Sequence, residues 1–461
     1  MSRNNKFLII LIAVMAVVLT GLVAFAMNMQ PRESAYVPET THPTVATTQP
    51  ATEASEPTEP SIEETTEPTE PPMEKIATAT VGATGDILMH DLVIQGGYDK
   101  ETDSYDYNYM FTEFSRYLEK VDFAVANLEV TLCGSDNGYR YSGYPQFNCP
   151  DPIVDALQNA GFDMLINANN HSYDTGNKGF HRTQQVLAEK NMPYIGSRPA
   201  VEDKPYKVVD VNGIQIGMIN YTYNTGTNTD GSVSLNGIKL SADNSKLINT
   251  FDYNRLTAFY TELENRIADM RSDGAEAIIL YIHWGNEYQT KENSIQNKMA
   301  QAICNLGVDV IVGNHAHVPQ PVELLTNEND ENKKTLCLYS TGNAVSNIRK
   351  SSKFPVNVED GMLLTFTFAK YTDGTVIVES TRVIPTWVDR YTEGNTRKFR
   401  VLVMDDTVDD WQADMDLTDA LLKTCESSYE RTMNIVGEGI DQANDYYTSN
   451  QQAVETALGI A

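Results

Sequence analysis

Six β-rich apolar runs in this chain each pass directly into a cluster of Asn, His and acidic residues, and no other feature constrains the fold as strongly. Residues 79–84 lead into Gly85-Asp86, 123–126 into Asn127-Leu128-Glu129, and 164–168 into Asn169-Asn170-His171-Ser172-Tyr173-Asp174. Residues 277–282 lead into His283-Trp284-Gly285-Asn286-Glu287, 308–312 into Gly313-Asn314-His315-Ala316-His317, and 336–340 toward Gly342-Asn343. Helical segments alternate with the runs, which points to an α/β sheet rather than a bundle or an all-β sandwich. In open α/β sheets the carboxyl ends of the strands form the ligand crevice, so residues far apart in sequence can converge there.

The local signals agree. Asp151-Pro152 predicts an N-cap and first helical position, Ile153, Val154 and Leu157 recur at helical spacing, and Gly161 stands where the helix should stop. Residues 255–271, and 296–306 ending at Gly307, read the same way. Asn212-Gly213 and Asp373-Gly374 each separate two strand-like runs with residues that tolerate positive φ, so hairpins join the sheet and make it mixed. Residues 405–461 read as mainly helical and polar, without a chemical motif.

Five of the seven histidines, His90, His171, His283, His315 and His317, fall within or just after the clusters. Imidazoles, an aspartate and an Asn carbonyl suit a borderline divalent ion such as Mn, Zn or Fe, whereas calcium favours oxygen throughout. His315 and His317, at i and i+2, point to one side if their segment is extended. Each cluster alone has an ordinary reading: Asp86 as a turn residue, His283 as a satisfied core histidine, Asn169-Asn170 as a loop, Glu287 and Asp174 as solvated or capping. Five strand ends all carrying ligand types argue for one shared site. Trp284, Tyr221, Tyr223 and the cluster of Tyr139, Tyr141 and Tyr144 are candidates for a substrate groove, with packing as their ordinary role. Arg140 and Arg349-Lys350 are candidate anion contacts, with surface charge as theirs.

A net charge of −29 speaks against nucleic acid as a partner, because phosphate binding needs clustered Lys and Arg. An anionic ligand remains compatible where a metal or local cations outweigh the background. Five cysteines are too few for a disulfide scaffold, though Cys133 and Cys149 flank a Gly- and Tyr-rich loop that one bridge would close.

Arg3 and Lys6 precede an uncharged apolar run over residues 7–27, long enough to cross a hydrocarbon core of roughly 30 Å. Positive charge on the short N-terminal side predicts a single-pass anchor at the cell membrane (residues 1–27) with the remainder extracytoplasmic. Ala24-Phe25-Ala26 also fits a signal-peptidase site, and cleavage there would export the same domain. Residues 28–76 are rich in Thr, Glu and Pro and read as a disordered linker. A main domain over 77–390 and a mainly helical extension over 391–461 follow.

With these motifs in order, the chain resembles the capsule-synthesis CapA family, the poly-γ-glutamate synthesis accessory proteins, related in fold to calcineurin-like metallophosphoesterases. The resemblance implies a layered α/β sandwich of mixed β-sheets flanked by helices. It implies Asp86, Asn170, His283, His315 and His317 as ligands of a divalent metal, with His171 and Glu129 moving protons. Asn127, Trp284, Glu287 and Asn343 become substrate-binding candidates. A phosphoesterase carries Asp-x-His at its first motif, whereas Leu88 takes the His position here, with His90 displaced nearby. The bridging-aspartate motif appears as Asn127-Leu128-Glu129, so one metal is as compatible as two. The expected role is a metal-dependent hydrolase or transferase acting on an anionic polymer such as poly-γ-glutamate, beside membrane synthase subunits. A non-catalytic scaffold for the same polymer and a generic extracellular metallophosphodiesterase are the alternatives.

Overall fold

The computed structural model describes residues 74–136 and 138–457. The expected anchor and most of the linker lie outside the described residues. Among those described, no helix is long and apolar enough to cross a membrane.

Strict alternation builds two facing sheets. In the strand Ala277–His283 the side chains of Ala277, Ile279 and Tyr281 enter one core while Ile278, Leu280 and Ile282 enter another. A period of two with both faces apolar is what a strand covered on both sides requires. Val310 and Val312 against Ile311 repeat the pattern in the next strand, Val310–Asn314.

The first sheet runs in the order Thr396–Val403, Val376–Glu393, Asp360–Tyr371, Lys75–Ile87, Phe123–Leu128, Met164–Ile166 and Tyr194–Ile195, with Asn343–Val345 beside Lys75–Ile87. It is antiparallel up to Lys75–Ile87 and parallel beyond it. The second runs Thr250–Phe251, Ile214–Tyr223, Ala277–His283, Val310–Asn314, Asp330–Leu338 and Val322–Asn327, with Tyr206–Val211 as a hairpin partner. Ala79, Val81 and Ala83 of the first sheet share a core with Ile216, Met218 and Ile279 of the second. Helices Pro152–Ala160 and Gly176–Glu189 cover the outer face of the first, and Leu256–Ser272 and Ser294–Asn305 that of the second. The expected mixed, helix-flanked α/β architecture is therefore present, as two sheets packed face to face.

Two expectations need correction. The division at residue 390 falls inside Val376–Glu393, and Thr396–Val403 pairs onto that strand, so the sheet continues past it. Beyond it, the helix Asp419–Ala457 sends Val436, Ile440 and Ala443 into the core shared by the two sheets. Arg431 on that helix makes a bidentate bond at 2.9 and 2.6 Å to the fully buried Asp360. Asp151 does not cap its helix, because its carboxylate is taken by Arg182 at 2.7 and 2.8 Å. Cys133 and Cys149 are buried free thiols.

Candidate metal centre

The parallel strands of both sheets end at the same edge, and their last residues meet. Asp86 lies in register with Asn127 across the first sheet, as His283 does with Asn314 across the second. Gly85 makes the approach possible: a Cβ there would lie 2.0 Å from the carbonyl oxygen of Gly342, whereas Asp86 N–H donates to that same carbonyl at 3.1 Å.

Around His283 Nε2 stand Asn170 Oδ1 at 2.7 Å, His315 Nδ1 at 3.1 Å and Glu129 Oε1 at 3.3 Å. Donor atoms about 2.0–2.2 Å from a common ion lie roughly 3 Å from one another, so this spacing suits one coordination sphere. Close by, His317 Nδ1 is 2.9 Å from Asp86 Oδ2, and Asn127 Nδ2 donates to Asp86 Oδ1 at 2.8 Å. Two groups, Asp86 with Glu129 and His283, and Glu129 with His315 and His317, each bring one ligand atom per residue within 4.8 Å of the others. Glu129 belongs to both.

Glu129 supplies the test of fit. It is fully buried, and neither of its carboxylate oxygens has a hydrogen-bond partner. A buried unpaired carboxylate is costly unless a cation meets it. Burial, reinforced by the charge of Asp86, pushes its pKa well above the ordinary carboxylate range. Burial drives His315 well below the imidazole range and His283 down to about 3, so both are neutral, the form that binds metal. Burial opposes charge on Asp86 and His317 as well, but their mutual bond outweighs it, lowering Asp86 and raising His317. The residues fit a divalent ion, and Glu129 offers one ligand atom to each of the two groups.

The backbone is bent to achieve this. His315 has φ 93° and His317 φ 55°, sparsely populated values for residues with a Cβ, and such strain persists where function holds it. The segment is thus not extended. His315 turns to His283 and His317 to Asp86, so the two rings do not point to one side as an extended segment would have them.

His171 stands outside both ligand groups. Its Nδ1 is 2.7 Å from Asp174 Oδ2, which also accepts the Phe147 N–H at 2.7 Å. The ring packs edge-on against Phe147 with centroids 4.8 Å apart. This pair fixes the imidazole through Nδ1 and leaves Nε2 outside the bond.

The substrate-binding candidates mostly fall elsewhere. Trp284 is fully buried, stacks on Tyr339 and donates to its carbonyl at 2.9 Å, so it packs the second sheet. Asn343 is also buried, and its Nδ2 donates to the carbonyls of His317 and Val358, each at 3.1 Å, pinning the bent histidine segment. Asn127 lies inside the cluster, accepting from Asn169 Nδ2 at 3.1 Å. Glu287 alone is exposed, with its charge bearing on Glu129 and His317. Leu88 is buried in the core behind the first sheet. Tyr221 is likewise core, while Tyr223 packs 4.9 Å from the His315 ring.

One participant escaped the sequence reading. Asn236, at the turn between Ser234–Leu235 and Ile238–Lys239, accepts a bond from Asn170 Nδ2 at 3.1 Å and so orients its carbonyl. Asn236-Gly237 is a hairpin signal of the same type as the two recognised.

The family described as "Bacterial capsule synthesis protein PGA_cap" matches residues 80–348. The chain is 28% identical over 276 residues to the capsule biosynthesis protein CapA of Bacillus anthracis, covering 58% of this chain and 59% of that one. It is 26% identical over 263 residues to the PGA biosynthesis protein CapA of Bacillus subtilis (strain 168), covering 57% and 61%. It thus spans about three-fifths of the length of these curated relatives. Among solved structures, a putative 5'-nucleotidase from Staphylococcus aureus in complex with alpha-ketoglutarate aligns with TM-score 0.37 and 11% identity over 76% of this chain and 58% of that one. Sulfate thiohydrolase SoxB of Thermus thermophilus, in complex with glycerol, aligns with TM-score 0.35 and 12% identity over 77% and 60%.

Proposed function

Because the chain belongs to the bacterial capsule synthesis protein family PGA_cap, we propose that it is an extracytoplasmic, membrane-anchored component of capsule or poly-γ-glutamate production with a metal-dependent hydrolase or transferase site. The observation that carries the catalytic part is Glu129, buried with both oxygens unpartnered among His283, His315, His317 and Asp86. Those five residues, with the Asn170 carbonyl, would hold one or two divalent ions of the Mn, Zn or Fe class. Such an ion supplies a Lewis acid for charge developing on a phosphoryl or carbonyl oxygen. The chain's own groups do the rest. Asp174 holds the His171 ring through Nδ1, and His171 gives or takes a proton at Nε2 beside the leaving group. Asn127 holds Asp86, and Asn236 holds Asn170, so the first ring of polar groups arrives preoriented. The polymer and the membrane synthase subunits are expected partners on the strength of the family.

Elemental analysis of the purified full chain and of His283→Ala and His315→Ala tests this. Bound metal lost in both variants supports it, whereas metal-free wild-type protein after supply of Mn, Zn and Fe sinks it.

A second reading, a scaffold that presents polymer without chemistry, draws on Leu88 occupying a ligand position and facing the core. Unchanged polymer output in cells carrying His171→Gln would favour it.

A further inference from the structure

Asp86 and Glu129 are both fully buried beside His317, yet they are held in opposite ways. Each Asp86 oxygen is engaged: Oδ1 accepts from Asn127 Nδ2 at 2.8 Å, and Oδ2 lies 2.9 Å from His317 Nδ1. Neither Glu129 oxygen has a hydrogen-bond partner. A buried carboxylate whose oxygens are met by donors is settled where it stands, whereas one without donors is the group that a cation must meet.

His317 lies between the two. Its Nδ1 faces Asp86, and its Nε2 is the nitrogen nearer to Glu129, 4.0 Å from Oε1. The lone pairs of the two ring nitrogens diverge, so an ion held by one of them leaves the carboxylate at the other to make a hydrogen bond. The same Glu129 oxygen is 3.3 Å from His283 Nε2, and His315 Nδ1 is 3.1 Å from that nitrogen. Ligand atoms about 2.1 Å from a common ion lie roughly 3 Å apart when adjacent and about 4.2 Å apart at most. All three separations fall in that range.

The Asp86 carboxylate also comes within 4.8 Å of ligand atoms of Glu129 and His283. Its bond to Nδ1 gives it a different task. A histidine that ligates through one nitrogen almost always donates its other N–H to a carboxylate or carbonyl, which fixes the tautomer and the ring. Leu88, two residues further on, is buried in the core and adds no ligand on the Asp86 side.

We propose that Asp86 is a positioning residue, holding His317 through Nδ1 so that Nε2 joins Glu129, His283 and His315 around a single divalent ion. The inference rests on the metal reading above and narrows it from one or two ions to one, with Asp86 acting through His317. The test is titration of zinc and of cobalt(II) into the full chain and into Asp86→Asn, Asp86→Ala and Glu129→Gln, with stoichiometry from elemental analysis. X-ray absorption of the zinc-loaded wild type accompanies it. The wild type should bind one ion through the imidazoles of His283, His315 and His317, with no second metal at the roughly 3.5–4 Å of a paired site. Asp86→Asn keeps an acceptor for the Nδ1 proton, so it should still bind one ion, about tenfold to hundredfold more weakly, with the cobalt(II) absorption bands where the wild type has them. Asp86→Ala should bind more weakly again, and Glu129→Gln should shift the bands or abolish binding. Two ions per chain, displaced bands in Asp86→Asn, or unchanged affinity in Asp86→Ala would each overturn the assignment and leave the metal reading standing. Wild type that takes up no ion would remove both. If the Asp86 variants fail to fold, the wild-type stoichiometry and X-ray spectrum decide alone.

Discussion

His317 Nδ1 lies 2.9 Å from Asp86 Oδ2, although 231 positions separate the two residues in the chain. The contact joins the ends of two different sheets, so the site exists only when both sheets are packed. Stability and ligand geometry are therefore coupled.

Glu129 should make the metal-free protein pH-sensitive. Its folded pKa is raised by burial, so the native state holds a proton that the unfolded state releases above the ordinary value of 4.5. Stability then falls as pH rises toward the folded value. In chelator, the wild type should lose stability between about pH 5 and about pH 8 relative to Glu129→Gln, by on the order of 1–3 kcal/mol. Added Mn or Zn should cancel the difference by stabilising the wild type only. Parallel melting curves in chelator would count against the buried, unpaired carboxylate.

His90 should act in the opposite direction. Burial lowers its pKa from 6.5 to about 4, so the unfolded chain takes a proton that the native state refuses. Its contribution is present above the unfolded value and is lost as pH falls toward about 4, up to roughly 3 kcal/mol. His90→Gln, which keeps an acceptor for the Asn347 N–H, should flatten the acid side of the stability curve. Urea midpoints across that window check it.

The C-terminal helix should behave as part of the main fold. Replacing Arg431 by Met leaves Asp360 buried with only Ser428 Oγ, at 2.6 Å, as a side-chain partner. The expected loss is about 3–5 kcal/mol, with most of it recovered in Asp360→Asn/Arg431→Met. Chemical denaturation with a single transition in every variant would show one cooperative unit; a separate transition for the helix would contradict it.

His171 should matter in proportion to the leaving group. With metal-loaded protein, His171→Gln should reduce hydrolysis of an alkyl phosphodiester about hundredfold and that of a p-nitrophenyl ester less than about tenfold, because only the alkoxide needs a proton. Asp174→Asn should follow the same pattern with a smaller loss. Equal losses on both substrates would place His171 in binding rather than proton transfer.

Much of the fold was legible. The alternation in residues 277–282, the Asn212-Gly213 and Asp373-Gly374 turns and the Gly161 stop all reflect local rules, and the strands, hairpins and helix ends lie where those rules put them. The chain passes residue 390 without a break because strand pairing with Thr396–Val403, not composition, decides where a sheet ends. Trp284 and Asn343 were misassigned for a related reason: position beside a motif says nothing about which way a side chain faces once layers pack on it.

The sequence alone determined that His, Asn and acidic residues stand at the carboxyl ends of strands, since strand periodicity and the composition of the following residues are local properties. Only the tertiary structure decided that Glu129 belongs to two groups of candidate ligands with no hydrogen-bond partner for either carboxylate oxygen, that positive φ aims His315 and His317 at different neighbours, and that Asn236 reaches Asn170 from a distant hairpin. Those outcomes depend on how two sheets close against each other, and the desolvation and geometry that result are set by residues hundreds of positions away.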